Sequence, residues 1–347
     1  MAADHSALQP AFEGPAPDVS LRTTLVVRLF GWAIVSALAT FLINNYLTFW
    51  LGWPGAGAAI GVGRHINPAT LHSPLAWVQF AGYFAAALVG ALYVMRTSDL
   101  TLRQDNERLT AINGFIIRAA FFAVLYVGIA DEIISFMRVE DFTTHLFGEQ
   151  LAMDLSRSQF RGPWVHLPLS ALGILTACFT RTLGFTWLSL LVVGAELLIV
   201  ISRFIFSYEQ VFMGDLVRFW YGALFLFASS YTLIEEGHVR VDVFYAAFSP
   251  KNKGIVNAFG SIVLGVSLCW VILVVGMGGK NSVINSPLLV WETTQTGFSM
   301  YVKYMMAGFL AVYAVTMMIQ FVGYFMEAVA DVRGEPGGRS RDSGAIE

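Results

Sequence analysis

About eight runs of roughly 20 apolar residues recur along this chain, and no other feature restricts its fold as strongly. A helix of that length crosses ~30 Å of hydrocarbon, and in lipid every backbone N–H and C=O must be satisfied within helices or a closed barrel. The runs are continuously apolar rather than alternating, so they read as helices. They fall at residues 25–46, 74–95, 111–136, 164–180, 185–206, 216–234, 255–278 and 304–329. Charged residues make up 13% of the chain and hydrophobic ones 56%; soluble domains carry about 25% charge. The expected fold class is an all-α integral membrane protein with about eight transmembrane helices.

The segments between the runs give the organisation. Residues 1–23 are polar, with no basic cluster before Arg22, and the apolar run that follows lacks a small-residue cleavage site. It reads as a retained span rather than a signal peptide. Residues 47–73, rich in Gly and Pro, read as a loop with an interfacial turn anchored by Trp50 and Trp53. A polar loop is expected at 96–110, and the longest polar segment at 137–163. Residues 331–347 read as a disordered tail. Lys and Arg are denser on the side that holds both termini, so both termini are expected in the cytoplasm. The domains are a tail (1–23), a four-helix block of unknown role (24–182), a four-helix module (183–330) and a second tail (331–347).

Little in the sequence suggests chemistry. Cys178 and Cys269 lie inside apolar runs and read as small buried hydrophobes. No CxxC, CxxCH or HExxH spacing occurs, and none of the six histidines falls in the middle of a run. Haem and metal therefore lack support, and no cofactor is expected. The net charge of −3 offers no argument for nucleic acid. Glu196, in the centre of the fifth run, is either a functional site or an acid hydrogen-bonded to another helix. Asp131 and Glu132 read as a solvated helix end. The runs lack the paired Gly/Pro interruptions of carriers with broken helices. A scaffolding subunit is expected before a stand-alone carrier or an enzyme, with the membrane anchor of a respiratory complex as the alternative.

The most informative stretch is 203–253. Within it, Val239, Val241, Val243, Phe244 and Phe248 alternate with His238, Arg240, Asp242 and Ser249. This pattern predicts an amphipathic helix near 238–249 lying in the membrane interface. Pro250 ends it, and Lys251 and Lys253 follow at headgroup level.

The stretch is also similar to the small membrane subunit of tripartite ATP-independent periplasmic (TRAP) transporters, in the group of mannitol/chloroaromatic-compound small permeases. Arg203-Phe204 matches an Arg–aromatic pair that closes the family's first helix, and Asp215 an acidic residue that opens the second. Residues 222–225 match a Gly-Ala-Leu-Phe core, and 237–242 match Gly-His-Val-Arg-Val-Asp without change. Lys303 matches a Lys opening the last helix, and Gln320 a Gln late in it. Trp291-Glu292 resembles the family's Trp-x-x-x-Glu-Ser region loosely, without its Ser. The resemblance covers about residues 185–330.

It implies a scaffold subunit of the bacterial inner membrane that binds no solute itself. Such a subunit braces a large elevator-type permease, and a periplasmic binding protein delivers an organic solute for sodium- or proton-driven symport. It further implies that Arg203, Asp215, His238, Arg240, Asp242 and Lys303 serve as partner or interface contacts.

Overall fold

The computed structural model describes residues 21–62, 68–181, 185–208, 211–234, 245, 247–293 and 299–337. They form ten helices: α1 (Leu21–Phe49), α2 (Pro74–Arg96), α3 (Leu102–Val139), α4 (Phe142–Leu155), α5 (Ser158–Phe179), α6 (Phe185–Ile205), α7 (Val211–Ile234), α8 (Pro250–Met277), α9 (Asn285–Val290) and α10 (Lys303–Val332). Short 3₁₀ turns at Ala56–Ala59 and Pro68–Thr70 lie between α1 and α2. Among the described residues no strand occurs. The chain is an all-α multi-pass membrane protein.

Seven of these helices are long and apolar enough to cross a membrane. The remaining expected run, 216–234, forms α7. It is 24 residues long and carries Arg218, Trp220, Tyr221, Ser229 and Ser230 among its apolar residues. α7 is well buried within the bundle: Phe212, Phe219, Ala223 and Phe227 are each at most 1% exposed.

Local sequence sets several helix starts. Ser73 caps α2, its Oγ accepting from the Ala76 N–H at 3.3 Å, and Pro74 occupies the first turn, where its missing N–H costs nothing. Thr101 and Gln104 form a capping box that starts α3. The polar loop expected at 96–110 is therefore mostly helix, and it carries Arg103 and Arg108. Ser249 and Pro250 start α8 in the same way as Ser73 and Pro74 start α2. Pro250 thus opens a helix rather than only closing one. The expected interfacial helix lies largely outside the described residues, and so do both chain ends.

Two large apolar clusters form most of the core, beside a small one of Ala58, Ala59 and Ala76. One joins Leu38 of α1 and Leu102 and Leu109 of α3 to Leu273 of α8 and Met318 and Val322 of α10. The other joins Ile117, Phe121 and Val124 of α3 to Leu188 of α6, Phe219 of α7 and Phe309 of α10. Both clusters draw on residues before and after 182. α3 packs on α5, α7 and α10, and α1 packs on α2 and α10. Gly173 of α5 lets the α3 backbone approach so closely that a Cβ there would lie 2.5 Å from the Ala123 nitrogen. Outward-facing apolar side chains, such as Phe84, Val89, Leu264 and Val275, suit contact with lipid.

Candidate functional site

α3 starts at one end of the bundle and finishes at the other, and each end holds a buried set of charges. At the finishing end three pieces of chain converge: the last turns of α3, the first turns of α5, and the segment that leads into α10. α5 contains a π-helical stretch, Gly162–His166, with Pro163 in its first turn. A wide turn of this kind re-aims side chains and often occurs at functional positions. Here Arg161 and His166 both come to lie against α3.

Asp131 is the hub of this end and is fully buried. Its Oδ1 accepts from Arg161 Nη1 at 2.8 Å and lies 3.0 Å from His166 Nε2. Its Oδ2 accepts from the Tyr301 backbone N–H at 2.7 Å. His166 Nδ1 lies 2.7 Å from the Tyr304 hydroxyl. With Asp131 ionised beside Arg161, His166 donates through Nε2 and accepts from Tyr304 through Nδ1. Both ring nitrogens are then engaged, and neither is open to a ligand.

Arg161 also donates to the Leu155 carbonyl and stacks 4.3 Å over the Tyr301 ring, while Arg138 stacks at 4.7 Å and donates to the Ser299 carbonyl at 2.9 Å. The reading of Asp131 as a solvated helix end is therefore incorrect. α5 and the 299–301 segment cover it, and its charge is balanced internally. Glu132, its neighbour, is half-buried.

Asp215 and Lys303 hold the same segment from other sides. Asp215 Oδ2 accepts from the Met300 N–H at 3.3 Å, and its Oδ1 pairs with Arg218 at 3.3 Å. Lys303 pairs with Glu292. Between them Trp291 adopts a left-handed backbone with φ 53, unusual for a bulky residue. Its indole lies directly on Gly162, where a Cβ would be 2.1 Å from Cε3, and meets Tyr304 edge-on at 4.9 Å. Below this end, a cleft of about 230 Å³ runs between α3, α5, α7 and α10. Its walls are apolar except for His166, Tyr304 and Ser170.

At the starting end of α3, Arg28 and Asp105 form a fully buried pair at 2.7 Å. Arg28 also donates to the Thr97 hydroxyl at 2.7 Å, and Trp32 Nε1 donates to Asp105 at 3.0 Å. Arg103 pairs with Asp331 at 2.8 Å, and Asn106 donates to Glu327 at 2.9 Å. Between the two ends, Asn113 of α3 donates to Gln320 of α10 at 3.2 Å.

Of the residues singled out by sequence, Asp215 and Lys303 converge on the segment entering α10. Arg203 is exposed near the end of α6. His238, Arg240 and Asp242 lie outside the described residues. Asp131, Arg161, His166, Tyr301 and Tyr304 were not anticipated as a group. The available signal was an Asp, an Arg and a His inside or beside apolar runs, since such residues need partners in a membrane.

Residues 191–331 match the model of a known family, "Tripartite ATP-independent periplasmic transporters, DctQ component". The matched stretch begins within α6 and ends near the close of α10, so it contains Asp215 and Lys303 and leaves out α1 to α5. No curated protein and no solved structure matches the chain.

Proposed function

We propose that this chain is the small scaffold subunit of a TRAP-type secondary transporter. The observation that carries the reading is the family match over residues 191–331, which coincides with the stretch whose motifs resemble the same subunit. On this reading the chain is a multi-pass protein of the bacterial inner membrane with both termini cytoplasmic. It belongs to the mannitol/chloroaromatic-compound group and is not an enzyme. It braces a large elevator-type permease, and a periplasmic binding protein supplies an organic solute for ion-gradient-driven symport.

The physical features suit a brace. A part that stays still while another slides against it needs a stiff body. Here buried ion pairs tie α3 to its neighbours at both ends. Such pairs add little net stability but penalise any rearrangement that separates them, because separation strands a buried charge. Helices α1 to α5 enlarge the fixed body on this reading, as an N-terminal extension to the usual four-helix subunit.

The test is reconstitution. This chain, a large permease of the same transporter class and its binding protein are placed in vesicles under a sodium or proton gradient. Uptake that requires all three supports the reading. Uptake by this chain alone would assign it as a carrier, and a b-type haem spectrum in the purified protein would assign it to a respiratory complex.

A further inference from the structure

Two ionisable residues sit near the middle of long apolar helices without an ion-pair partner among the described residues. Arg118 of α3 is half-buried and lies along its own helix, with Nη1 next to Gly114. Glu196 of α6 is exposed. It lies eleven residues after Phe185 and nine before Ile205, about 14 Å from the nearer helix end. That is too deep for a short carboxylate to reach water. The nearest exposed positions on its face are apolar: Val193, Leu197 and Val200 are 63%, 56% and 48% exposed, and Arg203 follows two turns further on, near the helix end. Of the seven helices long and apolar enough to cross a membrane, α6 is the least buried. The outward faces of α2 and α8 need nothing but lipid. That of α6 presents a carboxyl group to hydrocarbon, which costs several kcal/mol unless a partner is present.

We propose that the exposed face of α6 around Glu196 is the docking surface for a transmembrane helix of a different chain. That helix carries a hydrogen-bond donor, a Lys, Arg or side-chain amide, at mid-depth. A second copy of this chain fits poorly. A two-fold contact on this face would set Glu196 against its own copy, acid to acid. A donor-bearing helix would satisfy the carboxyl and cover the apolar strip around it. Naming that chain as the large permease rests on the function proposed above; the location of the face rests on Glu196 alone.

The experiment uses the full-length chain co-expressed with the large permease in membranes. A photo-crosslinking amino acid is placed at Leu197 on α6 or, as a control, at Val275 on α8, and the adducts are identified by mass. The expected result is a crosslink from position 197, and not from 275, to the large permease. Glu196→Leu should reduce that yield by about 3- to 20-fold, the range of one interhelical hydrogen bond in a membrane, while Glu196→Gln should largely retain it. Co-purification of the large permease without a crosslink at 197, or with one indifferent to Glu196→Leu, would overturn the docking face and leave the subunit reading intact. A Glu196-dependent crosslink to a different membrane chain with a donor at that depth would uphold the face and overturn the subunit reading. Only self-crosslinked dimers at 197 would overturn the proposal.

Discussion

Asp131 and Arg161 meet at 2.8 Å with neither side chain exposed to solvent. Arg161 alone could not hold this carboxylate in place. His166 shares its Oδ1 and the Tyr301 N–H takes its Oδ2, so one carboxylate unites α3, α5 and the segment before α10. The relationship makes a specific demand on mutation. Asp131→Ala leaves a buried guanidinium without a counter-charge, and breaking such a pair costs about 3–5 kcal/mol. A corresponding fall in thermal midpoint in detergent is expected. The double change Asp131→Leu with Arg161→Met should recover much of the loss, because it removes both charges together.

The pair at the other end, Arg28 with Asp105, should behave independently. Asp105 and Asp131 are separated along α3 by about 39 Å at 1.5 Å per residue. Sites that distant without shared partners add within about 0.5 kcal/mol. In a double-mutant cycle on Asp105→Ala and Asp131→Ala, the unfolding free energies should therefore sum. A coupling well above that limit would show that α3 transmits strain between its ends.

Gly162 should tolerate no side chain while Trp291 is present. A methyl group there would overlap the indole, and overpacking of this kind costs about 1–3 kcal/mol. Gly162→Ala is expected to lower the thermal midpoint. Adding Trp291→Leu should restore part of the loss by removing the obstruction. Failure of the second change to help would place the strain in the π-helical turn instead.

His166→Phe preserves the ring that stacks on Tyr304 at 5.9 Å and removes both of its hydrogen bonds. It leaves the Tyr304 hydroxyl and one acceptor site of Asp131 unpaired, at about 1–3 kcal/mol for each buried group. The measurement is the unfolding midpoint of His166→Phe against Tyr304→Phe and the double variant. Because the two residues share a bond, the double variant should cost less than the sum of the singles.

The spans were legible because hydrocarbon imposes a strict length and composition on them. The helix start at Ser73-Pro74 coincides with the start of an expected run; the capping signals at Thr101 and Ser249-Pro250 are equally local, but the polar residues of 96–110 suggest a loop and Pro250 suggests a stop. The hub at Asp131 was not legible. Its partners are 30, 35 and 170 positions away in the chain, and no local pattern reports such a meeting. Position near a helix end suggested solvation, but α5 and the 299–301 segment lie over that end. α7 follows the run expected at 216–234, and packing against α3, α6 and α10 holds it in the bundle.

α3 is 38 residues long, roughly 57 Å at its rise per residue and nearly twice the hydrocarbon thickness. A helix pinned at a single point can piston along its axis or roll in its groove. One pinned at both tips can do neither unless both catches release together. A one-turn stroke of about 5.4 Å would uncouple Asp105 from Arg28 and Asp131 from Arg161 in the same instant. The membrane could thin, thicken or shear around this chain, and α3 would register it as tilt of the whole body instead of slippage within it.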